Sequence, residues 1–280
     1  MNKRLRVSSS TRVEVIEAKA LHAELAAGAD NILLLQVTSP QVFEQAHLPG
    51  AILITPQELV CGVPPAVGRL PELAALEALF SRIGYRPDLD IVVYDDEGGG
   101  WAGRLAWTLD VIGHHGWRYL NGGLHAWHGD GFAFEQGPGA APAATTVTLC
   151  IDQGPIAEIT DVLATIDDPD QVVWDVRSAE EYAGIRQASK RSGHVPGAIN
   201  LDWLLLQDPQ NQYRLAQNIE AQLTELGITG KAGIITHCQT HHRSGLSYML
   251  GRLLGLPIRA YHGSWSEWGN REDTPIEVSA

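Results

Sequence analysis

The chain has 280 residues, enough for two domains of ordinary size that each bury a core. Its formal charge of -13 argues against nonspecific nucleic-acid binding, which needs basic surface for phosphate contacts. No stretch approaches the ~20 apolar residues of a membrane span, the N-terminal MNKRLRVSSSTRVEV lacks the apolar core of a secretory signal, and Cys61, Cys150 and Cys238 are too widely spaced for a disulfide framework or zinc knuckle, so a reducing cytoplasm is expected.

The first dozen residues read as a loose polar arm. After a helical stretch ending near Ala27, Ile32 to Val37 is apolar throughout except at Gln36, the pattern of a buried strand. HLPGA, His47 to Ala51, is a Pro-Gly turn leading into Ile52 to Ile54. Leu70, Leu73, Leu76, Phe80 and Ile83 mark a helix closed by Gly84. Asp90 to Tyr94 is another strand, followed by a Gly-rich turn, a helix ending at Gly113 and a short strand at Trp117 to Leu120. QGPGAAPA, Gln136 to Ala143, has no periodicity and reads as an interdomain linker.

Beyond the linker the pattern recurs. Val172 to Val176 matches the Leu33 to Val37 strand, HVPGA at His194 to Ala198 matches HLPGA, and Gly233 to Thr236 matches Ile91 to Tyr94. The helices Gly103 to Gly113 and Gly245 to Gly255 correspond, and GSWSEW at Gly263 to Trp268 answers GGLHAW at Gly122 to Trp127. This repetition predicts an α/β fold of two duplicated domains, each a parallel sheet with helices on both faces. The boundaries it suggests are 12–135 for the first domain, 136–155 for the linker and 156–280 for the second domain.

The second copy carries HCQTHHRSG, His237 to Gly245. A strand delivers Cys238 to its end, and a helix starting near Ser244 repeats apolar residues at Leu246, Met249, Leu250, Leu253 and Leu254. A cysteine facing a helix N-terminus, with His241, His242 and Arg243 crowding the turn, is favoured as thiolate. Cys61 and Cys150 lack such company and read as structural or incidental. The loop from Cys238 to Arg243 has the form C-x4-R. Inward-pointing amides make a ring of that size suited to sulfur carried on the cysteine or to a sulfonate, whereas C-x5-R makes a wider ring that fits phosphate. Ungapped alignment of Tyr94 to Gly113 with Thr236 to Gly255 sets Asp96 opposite Cys238 and Trp101 opposite Arg243. The first copy, whose DEGGGWAG turn has no P-loop lysine and no GxGxxG spacing, is therefore expected to support rather than catalyse.

His241 and His242 have no metal-ligand partners at suitable spacing and are expected as solvated loop histidines. His47 and His194 are expected to satisfy backbone groups in their turns, Asp175 to act as a hydrogen-bond anchor near the loop, and Trp203 to form a wall. Between Asp175 and His194 the second copy is longer than the first and contains Arg186, Lys190 and Arg191. With Arg243 these suggest a positive mouth that steers anions inward.

The sequence resembles the tandem-domain rhodaneses, thiosulfate:cyanide sulfurtransferases, through its repeat, its two HxPGA turns, its Gly-to-Trp ends and the CQTHHR loop, which is close to identical with the active loop of a bacterial branch of that family. The resemblance implies two rhodanese-like domains with only the second catalytic, Cys238 as nucleophile and persulfide carrier, and Gln239, Thr240, His241, His242 and Arg243 as the substrate-binding cradle. It implies a small sulfane-sulfur donor, a thiophilic acceptor such as cyanide, and no cofactor, metal, nucleic acid or membrane partner. Two alternatives use the same fold: delivery of the persulfide to a protein sulfur acceptor, and phosphatase or arsenate reductase chemistry, against which the C-x4-R count speaks. Well-studied animal members place an arginine where Glu181 stands and a lysine where Thr240 stands, which leaves the donor open. The CG[ST]GVT loop of the mercaptopyruvate branch is absent.

Overall fold

The computed structural model describes residues 13–279; the arm expected over the first dozen residues lies outside them. In chain order the first half contains β1 (Glu14–Ile16), α1 (Ala18–Ala26), β2 (Ile32–Val37), α2 (Pro40–Gln45), β3 (Ile52–Ile54), α3 (Leu73–Arg82), β4 (Asp90–Asp95), α4 (Gly100–Val111), β5 (Trp117–Leu120) and α5 (Gly123–Gly129). The second half contains β6 (Ile156–Ala157), α6 (Ile159–Thr165), β7 (Gln171–Asp175), α7 (Ala179–Tyr182), β8 (Ile199–Asn200), the short ribbon β9 (Gln207–Asp208) and β10 (Arg214–Leu215), α8 (Ile219–Glu225), β11 (Gly233–His237), α9 (Arg243–Leu253), β12 (Ile258–Tyr261) and α10 (Ser264–Trp268).

Two five-stranded sheets result, ordered β1-β5-β4-β2-β3 and β6-β12-β11-β7-β8, with parallel pairing throughout. Such strands are covered on both faces, which is why β2 and β4 read as continuous apolar runs. The exception, Gln36, is fully buried and satisfied: the Tyr94 hydroxyl donates to its Oε1 at 2.8 Å. The HxPGA turns repeat in space as well. His47 Nδ1 meets the Phe43 carbonyl at 2.7 Å and His194 Nδ1 meets the Tyr182 carbonyl at 2.8 Å, so each histidine closes its own turn.

The segment between the two sheets is strapped down despite its Pro/Gly/Ala composition. Gly137 donates to the Glu44 carbonyl, Ala140 to that of Ala51, Thr145 to that of Ser81 and Asp152 to that of Val111, all in the first half. Strands β4 and β11 lie centrally in their sheets and feed α4 and α9, which pack against each other. The crossing is made at Gly103 and Gly245, the same position of the repeat, where a methyl group on either would overlap the backbone of the other helix. Farther along, Asp110 pairs with Arg252, again its counterpart in the repeat, and accepts from Tyr248 Oη at 2.8 Å. The two helices are thus related by a local pseudo-two-fold, and it turns the first half's degenerate loop toward the second half's cysteine loop. Among the described residues no helix is long and apolar enough to cross a membrane.

Candidate active site

Strand β11 ends at His237, and Cys238 follows at the point where the chain turns into α9. Cys238 is only 1 % exposed. Its surroundings are fixed by α10, whose first amides reach back: Trp265 N–H donates to the Cys238 carbonyl and Ser266 N–H to the Gln239 carbonyl, both at 2.9 Å. Ser264 adopts φ 52°, the left-handed value that its counterpart Gly123 also adopts, and its hydroxyl accepts from Cys238 N–H at 3.4 Å.

Burial pushes the Cys238 thiol up. The Arg243 guanidinium, the Ser244 hydroxyl and the N–H groups of Ser244 and Thr240 outweigh that penalty, so the thiol sits below its ordinary value and the thiolate is favoured. Two amides of the turn and the start of α9 therefore converge on the sulfur, an arrangement that stabilises a thiolate and any negative charge developing beside it.

Arg243 is not free in the mouth. Its fork is held by Glu181 at 2.6 and 2.9 Å, and Glu181, 4 % exposed, is kept below the usual carboxylate range because Arg243 and the Ser178 N–H outweigh its burial. The residue at the position where animal rhodaneses were expected to differ thus orients the loop's terminal arginine. Asp175 is completely buried, and its carboxylate grips Arg177 rather than the cysteine loop; Arg177 also donates to the Gly193 carbonyl at 2.8 Å and lies over the Trp265 ring at 4.2 Å.

Three expectations change. His241 is not solvated: it is fully buried in the left-handed region at φ 55°, edge-on to Trp107, and burial with nearby Arg104 pushes its pKa well below the ordinary imidazole value. His242 is half-buried, stacked on Trp101 at 4.4 Å, paired with Glu97 and flanked by Trp203 at 5.7 Å. Third, the positive mouth loses Arg191, whose guanidinium donates to the carbonyls of Thr274 and Trp268 and to the Thr274 hydroxyl, pinning the C-terminal segment. The Gln239 amide is likewise turned outward, donating to Ala188 O at 3.2 Å and Ser189 Oγ at 3.1 Å.

The first half supplies residues that sequence reasoning missed. Besides Glu97 and Trp101, Gly68 lies so close to the Thr240 carbonyl that a Cβ there would overlap it. Arg104, fully buried on α4, holds that approach by donating to the carbonyls of Gly68 at 2.7 Å and Leu59 at 2.6 Å. Burial lowers its pKa to about 9, with the Cys238 and Cys61 sulfurs pulling the other way. Next along, Arg69 bridges to Glu158 and Glu267, and Leu70 N–H donates to His262 Nδ1 at 3.0 Å, so one loop of the first half is fastened across the second. The repeat itself carried a signal: a glycine at one position of two equivalent helices requires a close crossing, and the crossing brings loop opposite loop.

The family model described as a rhodanese-like domain matches twice, at residues 17–130 and 158–271. The chain is 46% identical over 265 residues to the thiosulfate sulfurtransferase of Pseudomonas aeruginosa, spanning 94% of this chain and 97% of that protein. It is 44% identical, over the same shares, to the thiosulfate sulfurtransferase of Azotobacter vinelandii. Among solved structures, that of YnjE superposes with a TM-score of 0.85 at 21% identity, covering 95% of this chain and 68% of that one.

Proposed function

The chain belongs to the rhodanese family, and on that premise we propose that it is a thiosulfate sulfurtransferase working through a persulfide on Cys238. The observation that carries the reading is the cradle: a buried sulfur whose thiolate is favoured by the Arg243 guanidinium, the Ser244 hydroxyl and the Ser244 and Thr240 amides at the start of α9, inside a C-x4-R loop closed by Arg243. In the first half-reaction the Cys238 thiolate attacks the sulfane sulfur of thiosulfate. The S–S bond of the donor breaks, sulfite leaves with its electron pair, and the terminal sulfur of the persulfide carries the negative charge. In the second, cyanide or another thiophile bonds to that terminal sulfur and Cys238 departs as thiolate, ready for another turn. Because one product leaves before the second substrate reacts, ping-pong kinetics are expected. The same amides face the charge on the departing sulfite and on the persulfide, while Arg243, oriented by Glu181, stands at the loop's end.

In this reading residues 156–280 form the catalytic domain and 12–135 the supporting one, joined by 136–155, in a cytoplasmic protein whose Cys61, Cys150 and Cys238 all remain free thiols. A second use of the persulfide, hand-over to a protein thiol, is favoured by Leu204 and Leu205, 54 % and 55 % exposed beside Trp203. Transfer to a protein acceptor faster than to cyanide would select it.

Intact mass measurement tests the proposal. Thiosulfate should add one sulfur atom to the protein, cyanide should remove it, and Cys238→Ser should never acquire it. A protein that stays unmodified and instead hydrolyses a phosphate ester is a phosphatase on this fold.

A further inference from the structure

Cys238 is one end of a short hydrogen-bonded chain. Ser244 Oγ lies 3.5 Å from Cys238 Sγ and 2.8 Å from His241 Nδ1. A serine hydroxyl has one proton, so it can be given to the sulfur or to the histidine but not to both. Which one receives it depends on the imidazole's tautomer.

We propose that His241 is a positioning residue for the sulfur chemistry: as the Nδ1–H tautomer it donates to Ser244 Oγ, which commits the Ser244 proton to the Cys238 thiolate. The proposal rests on the reading of Cys238 as the sulfur carrier. Three observations carry it. His241 is completely buried and its Nε2 has no hydrogen-bond partner. The alternative tautomer would bury an N–H without an acceptor, whereas the proposed one leaves only a lone pair unsatisfied, the less costly orphan. Against the same Trp107 ring lies the Arg104 guanidinium, 4.6 Å from the centroid, with an Nε–H that also lacks an acceptor, so a fixed positive charge lies near the imidazole and keeps it neutral. Finally, a histidine is kept at φ 55° where the first half has Gly99 in the left-handed region. Such strain persists at functional positions when the side chain is needed there.

The groups facing this chain are Arg104, His242 and His262 around the imidazole, and Arg243, itself paired with Glu181, at the sulfur. With the neutral Nδ1–H imidazole, every donor points toward the sulfur. Protonating the thiolate removes its demand for the Ser244 proton and leaves that hydroxyl free to rotate, while the imidazole keeps its proton on Nδ1 because the buried Nε2 has no partner for one.

Two measurements on the full chain decide the matter. In 15N-histidine-labelled protein, long-range 1H–15N spectra at a pH where Cys238 is thiolate should show, beside the Nδ1–H imidazoles of His47, His194 and His237 that donate to carbonyls, a further Nδ1–H imidazole that is missing from His241→Asn; an Nε2–H imidazole at that position overturns the proposal. The pH dependence of Cys238 alkylation by iodoacetamide gives the second readout. Ser244→Ala should raise its midpoint by about one pH unit, the size of one lost hydrogen bond to a charged sulfur. His241→Gly should raise it by roughly half as much, and His241→Asn should restore it, because asparagine tolerates the left-handed backbone and places an N–H near the position of Nδ1. Equal shifts for His241→Gly and His241→Asn, or none for Ser244→Ala, overturn the relay. These readouts are independent of sulfur transfer: a protein that shows them yet takes no sulfur from thiosulfate keeps the relay and loses the sulfurtransferase reading, and one that transfers sulfur without them does the reverse.

Discussion

The two halves of the molecule build the same turn at the end of a central strand and fill it differently. In the first, the buried carboxylate of Asp95 accepts the N–H groups of Glu97 at 3.2 Å, Gly99 at 2.8 Å and Ala102 at 2.9 Å. In the second, the N–H groups of Thr240 and Ser244, the latter equivalent to Ala102, serve the Cys238 sulfur. The residue equivalent to Asp95 is His237, whose ring is turned aside toward Asp175, its Nε2 at 3.7 Å from the carboxylate. The first loop has therefore lost more than a thiol: its anion cradle is occupied by the protein's own side chain. What it keeps is a place opposite the working loop, where Glu97 and Trp101 hold His242.

The largest effect should come from separating the halves at their crossing. Gly245→Ala places a methyl group into the α4 backbone at Gly100 to Arg104, and Gly103→Ala does the reciprocal damage at Gly245 and Leu246. Each is expected to cost at least about 3 kcal/mol, because backbone cannot move aside as a side chain would. In thermal unfolding that corresponds to roughly 6–12 °C. A melting temperature unchanged by either substitution would refute the close crossing.

The two loops should also respond to pH with opposite signs. Burial and the neighbouring Glu97 raise Asp95 to about 6, against the pull of its three amides, so the folded state binds that proton more tightly than the unfolded state. The stability it contributes is present below pH ~4 and is lost as pH rises through about 6, by ~3 kcal/mol at most. Cys238 is depressed in the folded state, so its contribution is present above the unfolded thiol value near 9 and is lost as pH falls through the folded value. Urea unfolding across pH 4 to 9 measures both. Relative to Asp95→Asn the wild type should lose stability between pH 4 and 7, and relative to Cys238→Ser it should gain stability toward pH 9. A common sign would contradict the assignment of the two anions.

Glu181→Gln is a smaller perturbation. One hydrogen bond to Arg243 survives, the negative charge beside the loop is removed, and the guanidinium becomes available to an anionic donor. KM for thiosulfate is expected to fall about tenfold, equivalent to 1.4 kcal/mol, with kcat little changed. An unchanged KM would mean that Glu181 serves only to brace Arg243.

Much of this comparison is legible in the sequence. The duplicated βα pattern, the strand end that presents Cys238 and the helix behind it are written in local periodicity and in short motifs that recur in order. The burial of His241 was not, because a histidine in a polar loop looks solvated until α4 and Trp107 are laid against it. Nor was the Glu181–Arg243 pair, which joins the capped turn of α7 to the start of α9, the helices that follow the neighbouring strands β7 and β11. Arg191 misled for the same reason: its charge is visible in sequence, while the C-terminal carbonyls that consume it are not.

The smallest expected effect is a null one, and it separates two explanations of why the first loop is silent. Asp96 occupies the position equivalent to Cys238. If the missing thiol were the whole reason, Asp96→Cys in a Cys238→Ser background would take up one sulfur from thiosulfate. The geometry predicts no gain in mass, since Asp95 already holds the amides of Gly99 and Ala102, Ala102 offers no hydroxyl in place of that of Ser244, and Trp101 stands where Arg243 does in the working loop. A thiol there would keep its proton at neutral pH, and slow alkylation by iodoacetamide is the corresponding kinetic signature. Adding Asp95→Ala to the same background empties the cradle without supplying the missing arginine. Faster alkylation in that triple variant, still without persulfide, would assign thiolate formation to the free amides and sulfur capture to the charge and hydroxyl that only the second loop has.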